Sequence, residues 1–533
     1  MKPSVDRNDT LSRRISRTVW VLLVIGVVHG GFFTLLHNDV CNDVAQYYSA
    51  AKMLHQGDVL YRDIIDTNPP PIFYLNLIPL FVSDTTGLDA VRAINISCYV
   101  ALLLVFICAL QLFRAANPTV LPVVQAIFLL VWLHVGFMVL DAHQFAQRDP
   151  MIAVLLLPYL MLVYARWRGQ NVPALLSGAA AMFMVLAVTM KPHYILMPLA
   201  LETYYRWREA SRRYYWRMEH SIAVVGILLL VMLIVLIPGF RSYYIDWMPL
   251  LQKYYSAYGG GVIQSISTLF SEALARAFLI GALLAGIVLF RSPAMEDRQL
   301  AQLLSLSLLL FLLIYLLQGK GWIYQRIPIW YASATMIAFA TGVILHRGTE
   351  RIRWQHLLVP MILVLMQLAM VPRLHAYFIR GLPPQAESSL AHYFKTHSMP
   401  GDRIAVISMV VAPGSEALLY ADRLPAIRYL SAFPLPLAYT GTSSHQLTGE
   451  RKRMADGYYV SLLADLRTFR PPIVAIDTLW YFRNTPDGFT MKKWLQQRDF
   501  YRTLESNYRR VAPVMNFEMY ERRKNAPRAR AVD

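Results

Sequence analysis

Charge is scarce in this chain. Only 16% of its 533 residues are Asp, Glu, Lys or Arg, whereas 56% are hydrophobic, and the mean hydropathy is +0.39. A water-soluble domain needs more charge than that to keep its surface solvated. Cysteine is nearly absent, with Cys41, Cys98 and Cys108 alone, two of them in or beside one apolar run. That scarcity excludes a disulfide framework and the ligand spacing of a zinc site. Acids are fewer than bases, 33 against 51, which leaves a formal net charge of +18. The excess does not point to nucleic acid, because the Arg and Lys lie mostly in short loops between apolar runs rather than on a soluble recognition fold. It reads as a topology signal and an attraction to anionic membrane lipid. No cleaved signal peptide is expected: the first apolar run, 19–36, is long enough to span, and no small-residue cleavage pattern follows it.

What the chain has in quantity is apolar length. At about 20 residues per span, the sequence predicts about eleven transmembrane helices, at 19–36, 92–113, 120–140, 150–165, 172–190, 192–205, 220–238, 274–290, 300–317, 328–345 and 356–374. The sixth is short and carries Glu202, which fits a tilted or re-entrant segment, and 71–82 is too short to cross. Arg13, Arg14 and Arg17 precede the first span, so the N-terminus is expected in the cytoplasm. The alternation then places Arg114, Arg166, Arg168, the cluster from Arg206 to Arg217, Arg291, Arg298, Arg347, Arg351 and Arg353 inside. The other loops are sparsely basic, as the positive-inside rule requires. An odd number of spans puts the C-terminus outside, in the periplasm of a bacterial inner-membrane protein. The expected division is a transmembrane domain over 1–379 and a small extracytoplasmic α/β domain over 380–533. In the latter, Arg403–Ser408 and Pro472–Asp477 read as buried strands and Met491–Arg498 as a helix.

Charges at membrane depth cost about 2.5–3.5 kcal/mol each on insertion scales, so those that persist are candidates for function. Four clusters sit at outside helix ends. The first runs from Asn42-Asp43 through Tyr47 to Leu54, where Asp43, Tyr47 and Ala51 share a helical face. Gly57-Asp58, Tyr61-Arg62-Asp63 and Asp66-Thr67-Asn68-Pro69-Pro70-Pro71 follow it. An amphipathic helix lying on the membrane with solvated acids explains Asp43 equally well. The second is Gln147-Arg148-Asp149-Pro150, where Asp149 could cap a helix and Arg148 could reach headgroups. The third is Thr189-Met190-Lys191-Pro192-His193, and the fourth runs from Gln318 to Pro328 with Lys320, Tyr324 and Arg326. Interfacial anchoring accounts for each of these singly. Two lysines and two arginines on one face fit an anion site better than scattered anchors, because a phosphate leaving group needs such cations.

In this order and sidedness the clusters resemble the GT-C superfamily of polyprenyl-phosphate-sugar glycosyltransferases, in particular the protein O-mannosyltransferase and aminoarabinose-transferase group. The resemblance covers about residues 19–345 and rests on Asp43, Gly57-Asp58, Tyr61, Pro69-Pro70, Asp149, Lys191, Lys320, Tyr324 and Pro328. The chain departs from the family at three places. Asn42-Asp43 leaves one carboxylate where the family has two, Asn68 replaces a lysine before Pro-Pro, and Pro192 replaces a glycine.

The resemblance implies inverting transfer of a sugar from a polyprenyl-phosphate carrier to a lipid, glycan or protein acceptor outside the cytoplasm. Asp43 would be the base, with Asp149 as a second base or an acceptor-positioning group. Arg148, Lys191, Lys320 and Arg326 would receive the phosphate, and Tyr47, Tyr61 and Tyr324 would line the substrate site. An apolar groove beside spans six to nine would take the lipid tail. No cofactor is implied; a divalent metal is compatible but not required, since fixed cations can supply the same field. Two rivals remain. A lipid-linked-sugar flippase would be expected to show internal repeats and mid-membrane charges, whereas no repeat stands out here and the charges cluster at one face. A glycan polymerase or ligase would lean on a large outside loop. The loop 239–273, with Arg241, Asp246, Lys253 and Gly259–Gly261, reads instead as a flexible lid.

Overall fold

The computed structural model describes residues 40–117, 144, 146–209, 216–254, 259–271, 273–347, 388–442, 446–479, 481–482, 485–486 and 488–523. Three expected spans, 19–36, 120–140 and 356–374, lie outside the described residues. The other eight fall on helices: Ala90–Ala116, Arg148–Trp167, Ala174–Met190, Leu196–Arg208, Met218–Leu236, Ala273–Phe290, Met295–Gln318 and Ile323–Arg347. Among the described residues, four helices are long and apolar enough to cross a membrane, or five if the bent pair Gly261–Ser271 and Ala275–Phe290 is one span. The sixth expected span begins as a 3-10 turn, Pro192–Ile195, before the helix Leu196–Arg208.

The chain packs as two compact units. One comprises 1–38, 95–230 and 261–381; the other comprises 39–94, 231–260 and 382–533. The first unit is a helical bundle built round Arg148–Trp167, whose apolar window is 89% buried. A helix that is apolar all round has no face for water and takes the middle of a bundle. It packs against Ala174–Met190, Leu196–Arg208, Met295–Gln318 and Ile323–Arg347. Small residues bring the helices close. A Cβ at Gly226 would meet Val185 Cγ1 at 2.7 Å, so Met218–Leu236 and Ala174–Met190 approach to a distance only glycine permits.

The second unit is built on a five-stranded sheet of order β2-β1-β3-β5-β4, with β1 Arg403–Ile407, β2 Leu424–Pro425, β3 Ile473–Asp477, β4 Tyr508–Arg510 and β5 Phe517–Arg522. β1 pairs in parallel with β2 and β3, whereas β5 runs antiparallel to β3 and β4. Both faces are covered, as a central parallel pair requires. On one side Leu390, Phe394 and Leu418 pack against Ile404 and Ile473; on the other Tyr458, Leu462 and Trp494 pack against Ile407 and Ile476. Every residue of β3 is buried, which matches its unbroken apolar run.

The segment 39–94 is stitched into this sheet unit by polar contacts. Asp58 pairs with Arg403 at 2.6 Å and Lys52 with Asp422 at 2.6 Å. Ile65 N–H donates to the Arg428 carbonyl at 2.6 Å, and Leu430 N–H returns to Ile65 at 3.2 Å. The opening half of the expected lid is helical and joins the same unit, where Lys253 and Tyr254 both reach Glu450, at 2.5 and 2.7 Å. The central strand sets the stability of this unit. Ile476→Ala, at 0% exposure, should lower stability by about 2–5 kcal/mol in a denaturation series on the detergent-solubilised chain. Val460→Ala, 66% exposed, should change it by less than about 0.5 kcal/mol.

Candidate functional site

The helix Ala174–Met190 stops because of Pro192. A proline excludes α geometry from the residue before it, and Lys191 is accordingly extended, with φ −147° and ψ 100°. The break turns the Lys191 side chain onto the first turn of Arg148–Trp167. There its ammonium sits 2.5 Å from Asp149 Oδ2, and Tyr194, from the 3-10 turn just past the break, donates to Asp149 Oδ1 at 2.8 Å. Asp149 is 0% exposed and Lys191 8%. Gln147, not Asp149, holds the capping position of its helix, and no side chain caps there. The Asp149 carboxylate is therefore committed to Lys191 and Tyr194.

A third helix end reaches the same point. Gln318, the last residue of Met295–Gln318, accepts from Lys191 at 3.2 Å and from Gln325 at 2.8 Å. The helix can end there because Gly319 adopts the left-handed conformation, φ 61°. Tyr324 presents its ring to Lys191 at 5.5 Å, and Lys320 lies 4.7 Å over Trp322. His193 feels Lys191, Asp149, Arg148 and Lys320 together, so these charges share one neighbourhood. Arg148 is 7% exposed. Arg326, 2% exposed, donates to the Thr268 carbonyl at 2.9 Å and stacks over Trp330. The six expected residues of this unit thus stand at or near one end of the bundle. The opposite helix ends carry a separate group, in which Ser177 bonds the buried Glu219 at 2.6 Å and Arg166 lies 3.4 Å from it.

Asp43, Tyr47 and Tyr61 belong to the other unit. Asp43 lies half-buried in the first turn of Asn42–His55. Tyr47 is 1% exposed and meets Phe73 edge-on, with centroids 5.7 Å apart. Tyr61 takes a positive φ of 62° and its hydroxyl donates to the Asn68 carbonyl. Beneath these residues the buried carboxylate of Asp66 accepts from the side chains of Gln46 and Asn68 and from the Asn68 backbone, which fixes the approach to Pro69-Pro70. Outside the spans, Asp63 is held below the usual carboxylate range by its bond to Arg62.

The sequence clusters contain Gln46, Asp66, Gln318 and Gln325 but gave none of them a role, and Tyr194 was passed over. Their signal was present: Tyr194, Gln318 and Gln325 are polar residues at the ends of apolar runs, Gln46 lies inside an expected amphipathic helix, and Asp66 precedes Pro69-Pro70. Among the described residues no three His, Cys, Asp or Glu side chains gather as metal ligands. An apolar slot opens in the same bundle, lined by Ala153, Leu156, Met197, Phe311 and Tyr331, with Ala153 one turn beyond Asp149.

The buried pair carries a measurable coupling. Asp149→Asn and Lys191→Met should each destabilise the solubilised chain by about 3–5 kcal/mol, because each strands a buried charge. The double variant should lose much less than their sum. Additive losses in a double-mutant cycle would show that the contact contributes nothing.

No protein-family model and no curated protein matches this chain. Among solved structures it is similar to ArnT from Cupriavidus metallidurans bound to undecaprenyl phosphate, at 13% identity and a TM-score of 0.58. The match covers 95% of this chain and 99% of that one. The apo state of the same protein matches at 15% identity and a TM-score of 0.47, over 95% and 98% of the two chains. The chain shares the overall fold of that undecaprenyl phosphate-bound ArnT structure.

Proposed function

We propose that this chain is a GT-C-type integral-membrane glycosyltransferase that moves a sugar from a polyprenyl-phosphate carrier to an acceptor hydroxyl outside the cytoplasm. The observation that carries the reading is a water-poor cluster of cations at one end of an apolar bundle, beside an apolar slot. That pairing suits a ligand with a phosphate at one end and a hydrocarbon tail at the other. The likeness in fold to a protein whose structure holds undecaprenyl phosphate supports the same carrier.

The acceptor oxygen attacks the anomeric carbon from the face opposite the phosphate, with inversion. The bond from that carbon to the phosphate oxygen breaks, its electron pair stays on the phosphate, and the acceptor proton goes to a base. Asp43 is the proposed base. Arg148, Lys191, Lys320 and Arg326 receive the phosphate, and fixed cations in a site with little water stabilise that charge without reorganisation. Asp149, with both oxygens occupied by Lys191 and Tyr194, supports a positioning role better than proton transfer. Tyr47, Tyr61 and Tyr324 are the proposed lining groups. The mechanism asks for no metal. An inner-membrane location with the C-terminal domain in the periplasm follows from the charge of the loops.

Asp43→Asn should lower transfer by about 10²–10⁴-fold while the chain reaches the membrane at normal abundance. Mass spectrometry of envelope glycans, from a deletion strain complemented with each variant, reads the product. Full product with Asp43→Asn would remove Asp43 from the role. Product unchanged by deleting the whole gene would remove the transferase reading.

A further inference from the structure

Between Lys191 and Tyr194, the two groups that hold Asp149, stands His193, which sugar transfer as proposed does not use. The turn that carries it is fixed at both ends. Pro192 sets its entry with a locked φ, and the Tyr194 N–H closes it onto the Lys191 carbonyl at 3.1 Å. The side chains on either side bond the two oxygens of the buried Asp149, at 2.5 and 2.8 Å. Lys191 and Tyr194 are 8% and 1% exposed, whereas His193 between them is exposed. Its ring rests on the Tyr194 ring, with centroids 5.0 Å apart and planes at 31°. Among the described residues, no hydrogen bond to the chain engages its ring nitrogens.

An imidazole at the outside end of a bundle is more simply an interfacial residue beside lipid headgroups. That role asks for no fixed geometry, and long side chains such as Lys and Arg fill it by bending toward the headgroups. His193 is the opposite case: a short side chain on a turn pinned by a buried ion pair, laid against an aromatic ring. A donor held this way loses little freedom when it takes a ligand. The charges that reach it are those of Lys191, Asp149, Arg148 and Lys320, and three of these four are the proposed phosphate groups. In either protonation state an imidazole keeps at least one N–H to donate, and such bonds to phosphate are stronger than those between neutral groups.

We propose, on the transfer reading above, that His193 donates a ring N–H to the phosphate of the polyprenyl carrier and is a further phosphate-binding residue of the site. The same phosphate is present before transfer and after it. The contact therefore serves donor and product alike, and acts on binding rather than on the chemical step.

Native mass spectrometry of the full chain in non-ionic detergent tests this with undecaprenyl phosphate and with undecaprenol, which has the tail without the phosphate. His193→Phe keeps a ring against Tyr194 and removes the donor. It should weaken undecaprenyl phosphate by about tenfold or more and leave undecaprenol unchanged. His193→Gln, which restores an N–H donor, should recover most of that loss. His397→Phe alters an exposed imidazole that also stacks on a tyrosine, in the other unit, and should bind like the wild type. Phosphatidic acid separates the carrier from an ordinary headgroup, and His193→Phe should leave its binding unchanged. Equal loss of phosphatidic acid and undecaprenyl phosphate would assign a headgroup contact and overturn the proposal. Full binding by His193→Phe, or a loss that His193→Gln does not recover, would overturn it too and leave the transfer reading standing. A wild-type chain that binds undecaprenyl phosphate no better than undecaprenol would overturn both.

Discussion

The bundle is organised by one contact, the buried ion pair of Asp149 and Lys191. Desolvating two opposite charges costs several kcal/mol for each ion, and their attraction repays it only when geometry is close and the remaining lone pairs and protons are matched. Both conditions hold: the charges are 2.5 Å apart, Tyr194 takes the second carboxylate oxygen, and Gln318 accepts from the ammonium. The contact dictates backbone as well as charge. Lys191 reaches Asp149 because Pro192 ends its helix, and Gln318 reaches Lys191 because Gly319 ends another. Three helix ends, at Asp149, Lys191 and Gln318, are thereby pinned at one point.

The sheet unit is held by a different economy. Its core is conventional, two apolar layers on either side of a sheet. The attachment of 39–94 is polar, through Asp58 with Arg403, Lys52 with Asp422 and the backbone exchange at Ile65. Asp66 then orders the stretch from Tyr61 to Pro70 from within, by filling its oxygens with Gln46 and Asn68. A segment organised this way has a defined shape without a large core of its own, which suits a loop that must present side chains rather than cover them.

Much of this was legible in the sequence. The strands β1 and β3 were visible as short β-branched runs, and eight helices lie where apolar length placed them, because a spanning helix keeps an unbroken apolar record whether it is buried, like Arg148–Trp167, or exposed, like Met218–Leu236. The cations of the bundle were found by the cost of charge near membrane depth. Their partners were not. Tyr194 and Gln318 look like ordinary interfacial residues until the breaks at Pro192 and Gly319 are placed in space, and Asp149 reads as a helix cap until Lys191 is seen to take it. The role of 39–94 in the sheet unit was also hidden, since long-range ion pairs leave no local pattern.

The pairing also redistributes the work expected of the cations. A lysine whose charge is offset by a carboxylate at 2.5 Å presents little net field to an arriving phosphate. On the transfer reading, the field then falls mainly to Arg148, Lys320 and Arg326, and Lys191 acts by keeping Asp149, Gln318 and the Tyr324 ring in place.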